Sequence, residues 1–462
     1  MSYSTKTPPV TATGTLTTGK SRFNRNRRQP STLLMRCLLA VLMMVSFGAY
    51  AQITVTNPGN TTPALNPTYT SLALAITDVN NRTAISGPVT ITLSASQIAP
   101  AGGFVIQNTA ITGGSNTNRI TFDGGNQTIT AGVGTSTTND AIFKIIGTDF
   151  VTLQNFVLTE AGTNTTATQQ VEWGIAVLYA TSTNGSQGIT LQGNSITLNR
   201  TNINTFGIYS NSTHTNAAPT TGATATTAAG GNSNLKIYSN TITNVNMGIV
   251  VVGPTAAADA NTGIEVGGAS LGNTITNFGT SGSISSYANV SGTVNGILIR
   301  NSNGYIVSNN TITSSVGGVT SGTLNGIQQP ASNNAPTGTF TNNINNNTIS
   351  LQSGLAGGAI NGINIPSGSA TTTSTLNISN NDFNTFGHTV AASGAITYIL
   401  NVSTHQTSAI TGNTFTNMTV NTTGNVTFIS NSITAPASGT KTINNNSIVT
   451  AFSKTGAGGT VS

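Results

Sequence analysis

The chain has 462 residues, of which 36% are apolar, 5% charged and 5% aromatic, with 52 glycines and abundant Asn, Thr and Ser. Ordinary globular domains carry about 25% charged residues, so a salt-bridged helical protein and a coiled coil are excluded, and the charge is too sparse to hold the chain disordered. The net charge of +6 is concentrated at the front: seven of the fifteen basic residues precede residue 37, and from Gln52 onward the balance is −1, too little to neutralise a nucleic-acid backbone.

Residues 1–51 read as a basic leader and signal peptide. Arg36 is followed by an apolar run from Leu38 to Phe47 and by a small-x-small site at Ala49 and Ala51, a secretory pattern with cleavage after Ala51. The run is shorter than the roughly 20 apolar residues a bilayer span requires. The mature chain is therefore expected to be secreted or held at the cell surface, with no membrane span. Cys37 opens the apolar run instead of following it, which argues against a lipid anchor. Met35-Arg36 would by itself begin a compact signal, so translation from Met35 is a working hypothesis that peptide mapping of the precursor would test. Beyond the leader there is no cysteine, and packing with hydrogen bonds must hold the fold.

Residues 52–130 read as an amino-terminal cap and first coils. Leu72, Ala75, Ile76 and Val79 fall on one helical face behind Thr70 and Ser71 as capping candidates. A short amphipathic helix there would cover strand edges that otherwise invite aggregation.

Residues 131–462 are organised by an internal repeat. Asn194, Asn240, Asn273, Asn310, Asn347, Asn381, Asn413 and Asn446 each have an apolar residue two positions later and lie 32 to 46 residues apart. Three positions before each stands Leu191, Ile237, Val307, Ile344, Ile378, Ile410 or Ile443; the Asn273 unit departs, with Leu271 one place late. A second run opens with Gly in most units, as in Gly207-Ile208, Gly248-Ile249, Gly296-Ile297, Gly326-Ile327 and Gly362-Ile363. These β-branched runs, bounded by Gly and Asn, predict about three short strands per coil and about eleven or twelve coils stacked about 4.8 Å apart. The fold class expected is all-β, a parallel β-helix. The corner Asn is expected to take a left-handed backbone and to bond its equivalents in a continuous amide ladder.

The Asn-x-Ile motif with its apolar flank resembles the coil signature of right-handed parallel β-helix proteins of the pectin-lyase-like group, in particular secreted bacterial surface repeat proteins. The resemblance covers about residues 189–450, and Tyr69–Asp78, Ser86–Leu93 and Asn118–Gly124 look like the cap and first coils of that group. It implies right-handedness and leaves function open, because the architecture hosts lyases, hydrolases and adhesins. The chain stops at Ser462 with neither the further repeats nor the carboxy-terminal sorting domain that such proteins often carry, so a fragment or truncated product is expected.

Chemistry is sparse. Only nine acids exist, and glycoside hydrolysis usually needs two that face each other. Asp140, Asp149, Glu160 and Glu172 form the densest group, with Asp149, Glu160 and Glu172 the catalytic candidates of the enzyme alternative and Trp173 beside them as a ring that could stack on sugar. The triplets and pairs that mark polygalacturonase-like enzymes are absent, the nearest being Gly387-His388. No acidic cluster flanks Arg300 or Lys236, and Asp123-Gly124-Gly125 reads as a turn. His214, His388 and His405 have no metal-ligand spacing and read as solvated loop residues. No metal and no cofactor are expected. What remains is a neutral, hydroxyl- and amide-rich surface with Trp173, Tyr209 and Tyr305 as candidate platforms and Tyr238, Tyr287 and Tyr398 scattered along it. The preferred expectation is a non-catalytic surface or adhesion protein whose partner is an extracellular polysaccharide or cell-surface glycan; the alternative is a polysaccharide lyase or glycoside hydrolase.

Overall fold

The computed structural model describes residues 52–136, 139–202, 204–212, 225–279, 293–316, 322–330, 338–366, 373–433 and 438–462. The leader with its cleavage site, Met35 and Cys37, together with His214 and Tyr287, lies outside the described residues. The rest is an all-β parallel β-solenoid of about nine turns, consistent with the right-handed parallel β-helix expected.

Three sheets run along it: sheet A of thirteen strands, sheet B of eleven and sheet C of ten. In one coil the chain passes through Thr190–Gln192 in sheet A, Ser195–Thr197 in sheet B and Phe206–Ser212 in sheet C. Each strand then pairs in parallel with its equivalent one coil later, as Leu191 with Ile237, Ile196 with Ile242 and Ile208 with Ile249. The turn count is lower than the eleven or twelve expected, and the front of the chain is not solenoid. There Ile53–Thr56 pairs antiparallel with both Thr68–Tyr69 and Val89–Leu93, and the parallel stack starts only at Val89–Leu93.

Helix α1, Leu72–Asn80, is the capping helix expected. Ser71 is its N-cap, accepting the Leu74 N–H at 3.3 Å, and Leu72, Ala75, Ile76 and Val79 are all buried. Asp78 on its far side ion-pairs with Arg82 and receives the Tyr69 hydroxyl, which ties the helix end to the antiparallel strands.

Apolar residues form columns, because in-register parallel pairing places the same position of each coil above its predecessor. Sheet B contributes Ile196, Ile242, Ile275, Ile312 and Ile349, all fully buried, and sheet A contributes Leu191, Ile237, Val266, Val307, Ile344, Ile378 and Ile410, likewise. Each such side chain contributes about 1.5–3 kcal/mol. In the Asn273 unit the sheet A position belongs to Val266, paired with Ile237 and Val307, and not to Leu271. The segment from Gly267 to Gly272 is an insertion between strand and Asn, which is why a fixed offset misplaced the residue.

On sheet C the recurrent glycine is a packing requirement. A Cβ on Gly326 would stand 2.6 Å from Ile349 Cγ2 and 2.7 Å from the Gly362 carbonyl, closer than any side chain tolerates. In the last coils this column turns aromatic. Register places Tyr398 and then Phe428 at the glycine position, stacked with centroids 5.2 Å apart, beside Phe383 and Phe415 stacked at 5.4 Å.

Candidate functional site

The ladder asparagines lie at the corner between sheets A and B, all buried except Asn446 at the end of the ladder, which is half-buried. From Asn194 to Asn446 each Nδ2 donates to Oδ1 of the next at 2.8–3.0 Å, giving seven amide-to-amide links. Each Nδ2 also donates to a sheet A carbonyl of the preceding coil, as Asn240 to Leu191 at 2.9 Å. Each Oδ1 further accepts the backbone N–H of the previous ladder residue, so the polar capacity of these buried groups is met.

The left-handed backbone sits one residue earlier than expected. Gly193, Ser239, Asn309, Asn346, Asn380, Gly412 and Asn445 have φ between 51° and 67°, whereas no ladder Asn has a positive φ. The physical division is clear: the preceding residue turns the chain, and this aims the ladder side chain into the corner. Asn-Asn doublets at 309–310, 346–347, 380–381 and 445–446 carry that signal in the sequence.

The acids are not assembled. Asp149 accepts the Gln187 N–H at 2.7 Å and lines a cavity with Ile85, Ile111, Asn118 and Phe150. Glu160 lines a different cleft, of about 380 Å³, with Asn164, Thr165, Gln170, Asn199 and Thr201. Its carboxylate accepts the Ala161 N–H at 2.9 Å, the Asn164 amide at 2.8 Å and the Val171 N–H at 2.8 Å, and so staples the loop that forms one wall. Burial raises the pKa of both Asp149 and Glu160, opposed by these N–H donors.

Glu172 is fully buried and belongs to neither cleft. Its Oε2 accepts the Asp140 N–H at 2.9 Å. Burial pushes its carboxyl up to about 8, the charge of Asp140 adds to that rise, and the Asp140 N–H and Asn202 amide oppose it. Nearby Lys144 is lowered by burial, partly offset by Asp140 and Glu172.

The aromatic platforms fail as expected sites. Trp173, Tyr209 and Tyr305 are each at most 1% exposed. Trp173 stacks on Tyr209 with centroids 4.4 Å apart, and the Tyr305 hydroxyl donates to Gln329 at 2.5 Å. All seven residues of Trp173–Tyr179 are buried on both faces of sheet C, so these rings are packing elements that a sugar cannot reach. His388 and His405 are also buried and not solvated. His388 Nδ1 contacts the Leu355 carbonyl at 2.9 Å, and His405 lies between Ser403 and Asn342 with its pKa pushed down to about 4 by burial. Lys236 does have an acid beside it, since Glu265 occupies the same position one coil on and pairs with it. Asp123 forms the turn expected, accepting the Gly125 N–H at 2.9 Å.

Among the described residues there is no group of three or more His, Cys, Asp or Glu placed to hold a metal, and no described helix is long and apolar enough to cross a membrane. No family profile, curated protein or solved structure matches the chain.

Proposed function

We propose that the protein is a secreted, non-catalytic surface protein that contacts an extracellular polysaccharide or cell-surface glycan. The carrying observation is the Glu160 cleft. It is lined by Asn164, Thr165, Gln170, Asn199 and Thr201, uncharged groups suited to sugar hydroxyls, and Glu160 is its one acid. A glycosidase would need a second carboxyl facing it, and Glu160 already accepts three hydrogen bonds from its own loop. The secretory pattern of the leader, with its small-x-small site at Ala49 and Ala51, and the likeness of the Asn-x-Ile coils to pectin-lyase-like surface repeat proteins of bacteria support the compartment in this reading.

The test is to incubate the protein with pectins, alginates and glucans, with and without Ca²⁺, while measuring binding and product release. Binding that weakens in Gln170→Ala or Asn199→Ala, with no reducing ends or unsaturated products, is the expected outcome. Product release that Glu160→Gln abolishes would establish the enzyme alternative instead.

A further inference from the structure

Sheet B carries an outer surface unlike the other two. In five consecutive coils its strands present Ser195 and Thr197, Thr241 and Thr243, Thr274 and Thr276, Thr311 and Thr313, then Thr348 and Ser350. Parallel pairing sets these in register as two rows, Ser195–Thr241–Thr274–Thr311–Thr348 and Thr197–Thr243–Thr276–Thr313–Ser350. The residue between the rows is Ile in every coil and points into the core. All ten hydroxyl residues are partly or fully exposed, and none of their hydroxyls bonds to another described residue.

The array is chemically uniform. None of its ten positions is ionisable, whereas sheet A carries Asp123 and the Lys236–Glu265 pair and sheet C carries Lys144 and Arg300. It also has edges. Val157 occupies the first row one coil before, and Asp382 with Asn384 follows one coil after, where the Thr414 and Thr416 hydroxyls both turn to the Asp382 carboxylate. The hydroxyls of the five central coils are thus left for solvent, at a repeat fixed by the backbone.

That repeat is about 4.8 Å between coils and about 6.6 Å between rows. Water hydrogen-bonded tetrahedrally at about 2.75 Å has second neighbours about 4.5 Å apart and an axial repeat of about 7.3 Å, so the two lattices nearly coincide over a few coils. The mismatch along the rows reaches about 1.2 Å across the five coils, which a central patch tolerates. A neutral, periodic hydroxyl face with interleaved Thr methyl groups complements a neutral, periodic lattice of ordered water.

We infer that the outer face of sheet B, centred on Thr243, Thr274, Thr276 and Thr311, binds the surface of ice. This is independent of the glycan reading, which rests on another cleft. The test measures thermal hysteresis and ice shaping with the purified protein, alongside Thr243→Tyr with Thr276→Tyr, Thr276→Val, and Thr442→Tyr on sheet A as control. The expected result is hysteresis that falls at least tenfold in the double Tyr variant and clearly in Thr276→Val, is unchanged in Thr442→Tyr, and is lost without change in circular dichroism or melting temperature. Absence of hysteresis and ice shaping in the unsubstituted protein, or equal activity in all variants, would overturn the inference. Loss of glycan binding in the double Tyr variant would assign the face to polysaccharide instead.

Discussion

Asn310 donates from Nδ2 to Asn347 Oδ1 at 2.9 Å, and its own backbone N–H donates to the same oxygen at 3.0 Å. One amide oxygen thus clamps both side chain and main chain of the coil before it. Removing either partner leaves buried donors unmet, and each costs more than the net value of a hydrogen bond. Asn310→Ala or Asn347→Ala is expected to lose about 1–3 kcal/mol in denaturant unfolding. Asn116→Ala, in an exposed loop position, is expected to lose little. Equal midpoints for the three would show the ladder to be decorative.

The turn that precedes the ladder makes a separate prediction. Asn346 has φ 55°, a conformation that costs a β-branched residue about 1–2 kcal/mol or more. Asn346→Val should lower stability by that amount and Asn346→Gly should leave it nearly unchanged, as read by urea midpoints. The opposite order would place the corner strain elsewhere.

The glycine column predicts an overpacking effect. Gly326→Ala puts a methyl group within 2.6 Å of Ile349 Cγ2, and the Gly362 carbonyl at 2.7 Å blocks retreat. A loss of about 1–3 kcal/mol is expected, and a less than additive loss when Gly326→Ala is combined with Ile349→Ala, which removes the opposing Cγ2. Additivity of the two substitutions would show that they do not share one contact.

Glu172 predicts the pH dependence. Its folded pKa of about 8 lies above the ordinary 4.5, so between these values the folded chain holds a proton that the unfolded chain has released. Stability from this group is therefore intact below about pH 4.5 and is lost as pH rises to about 8. His405 acts on the acid side: its folded pKa of about 4 lies below the ordinary 6.5, so its contribution is lost as pH falls through that interval. Glu172→Gln is expected to raise stability at pH 8 relative to the unsubstituted protein and to leave it nearly equal at pH 4. A pH profile unchanged by this substitution would show that Glu172 is ionised within the fold.

The sequence by itself determined the repeat, the all-β class, the cap helix with its buried face, and the ladder positions, since each follows from short-range patterning, which for all but the cap in-register stacking repeats coil after coil. Leu72, Ala75, Ile76 and Val79 are one such pattern, and the eight Asn are another. The tertiary structure decided what lies against what. Trp173 and Tyr209 carry the same local signals as exposed sugar platforms, and only the packing around sheet C shows them buried against each other. Glu160 and Glu172 are twelve residues apart in sequence and differ entirely in surroundings, one walling an open cleft and the other sealed beneath the surface. Burial and facing depend on loops whose course no periodicity records, because loop residues answer to long-range contacts and not to the two-residue alternation of strands.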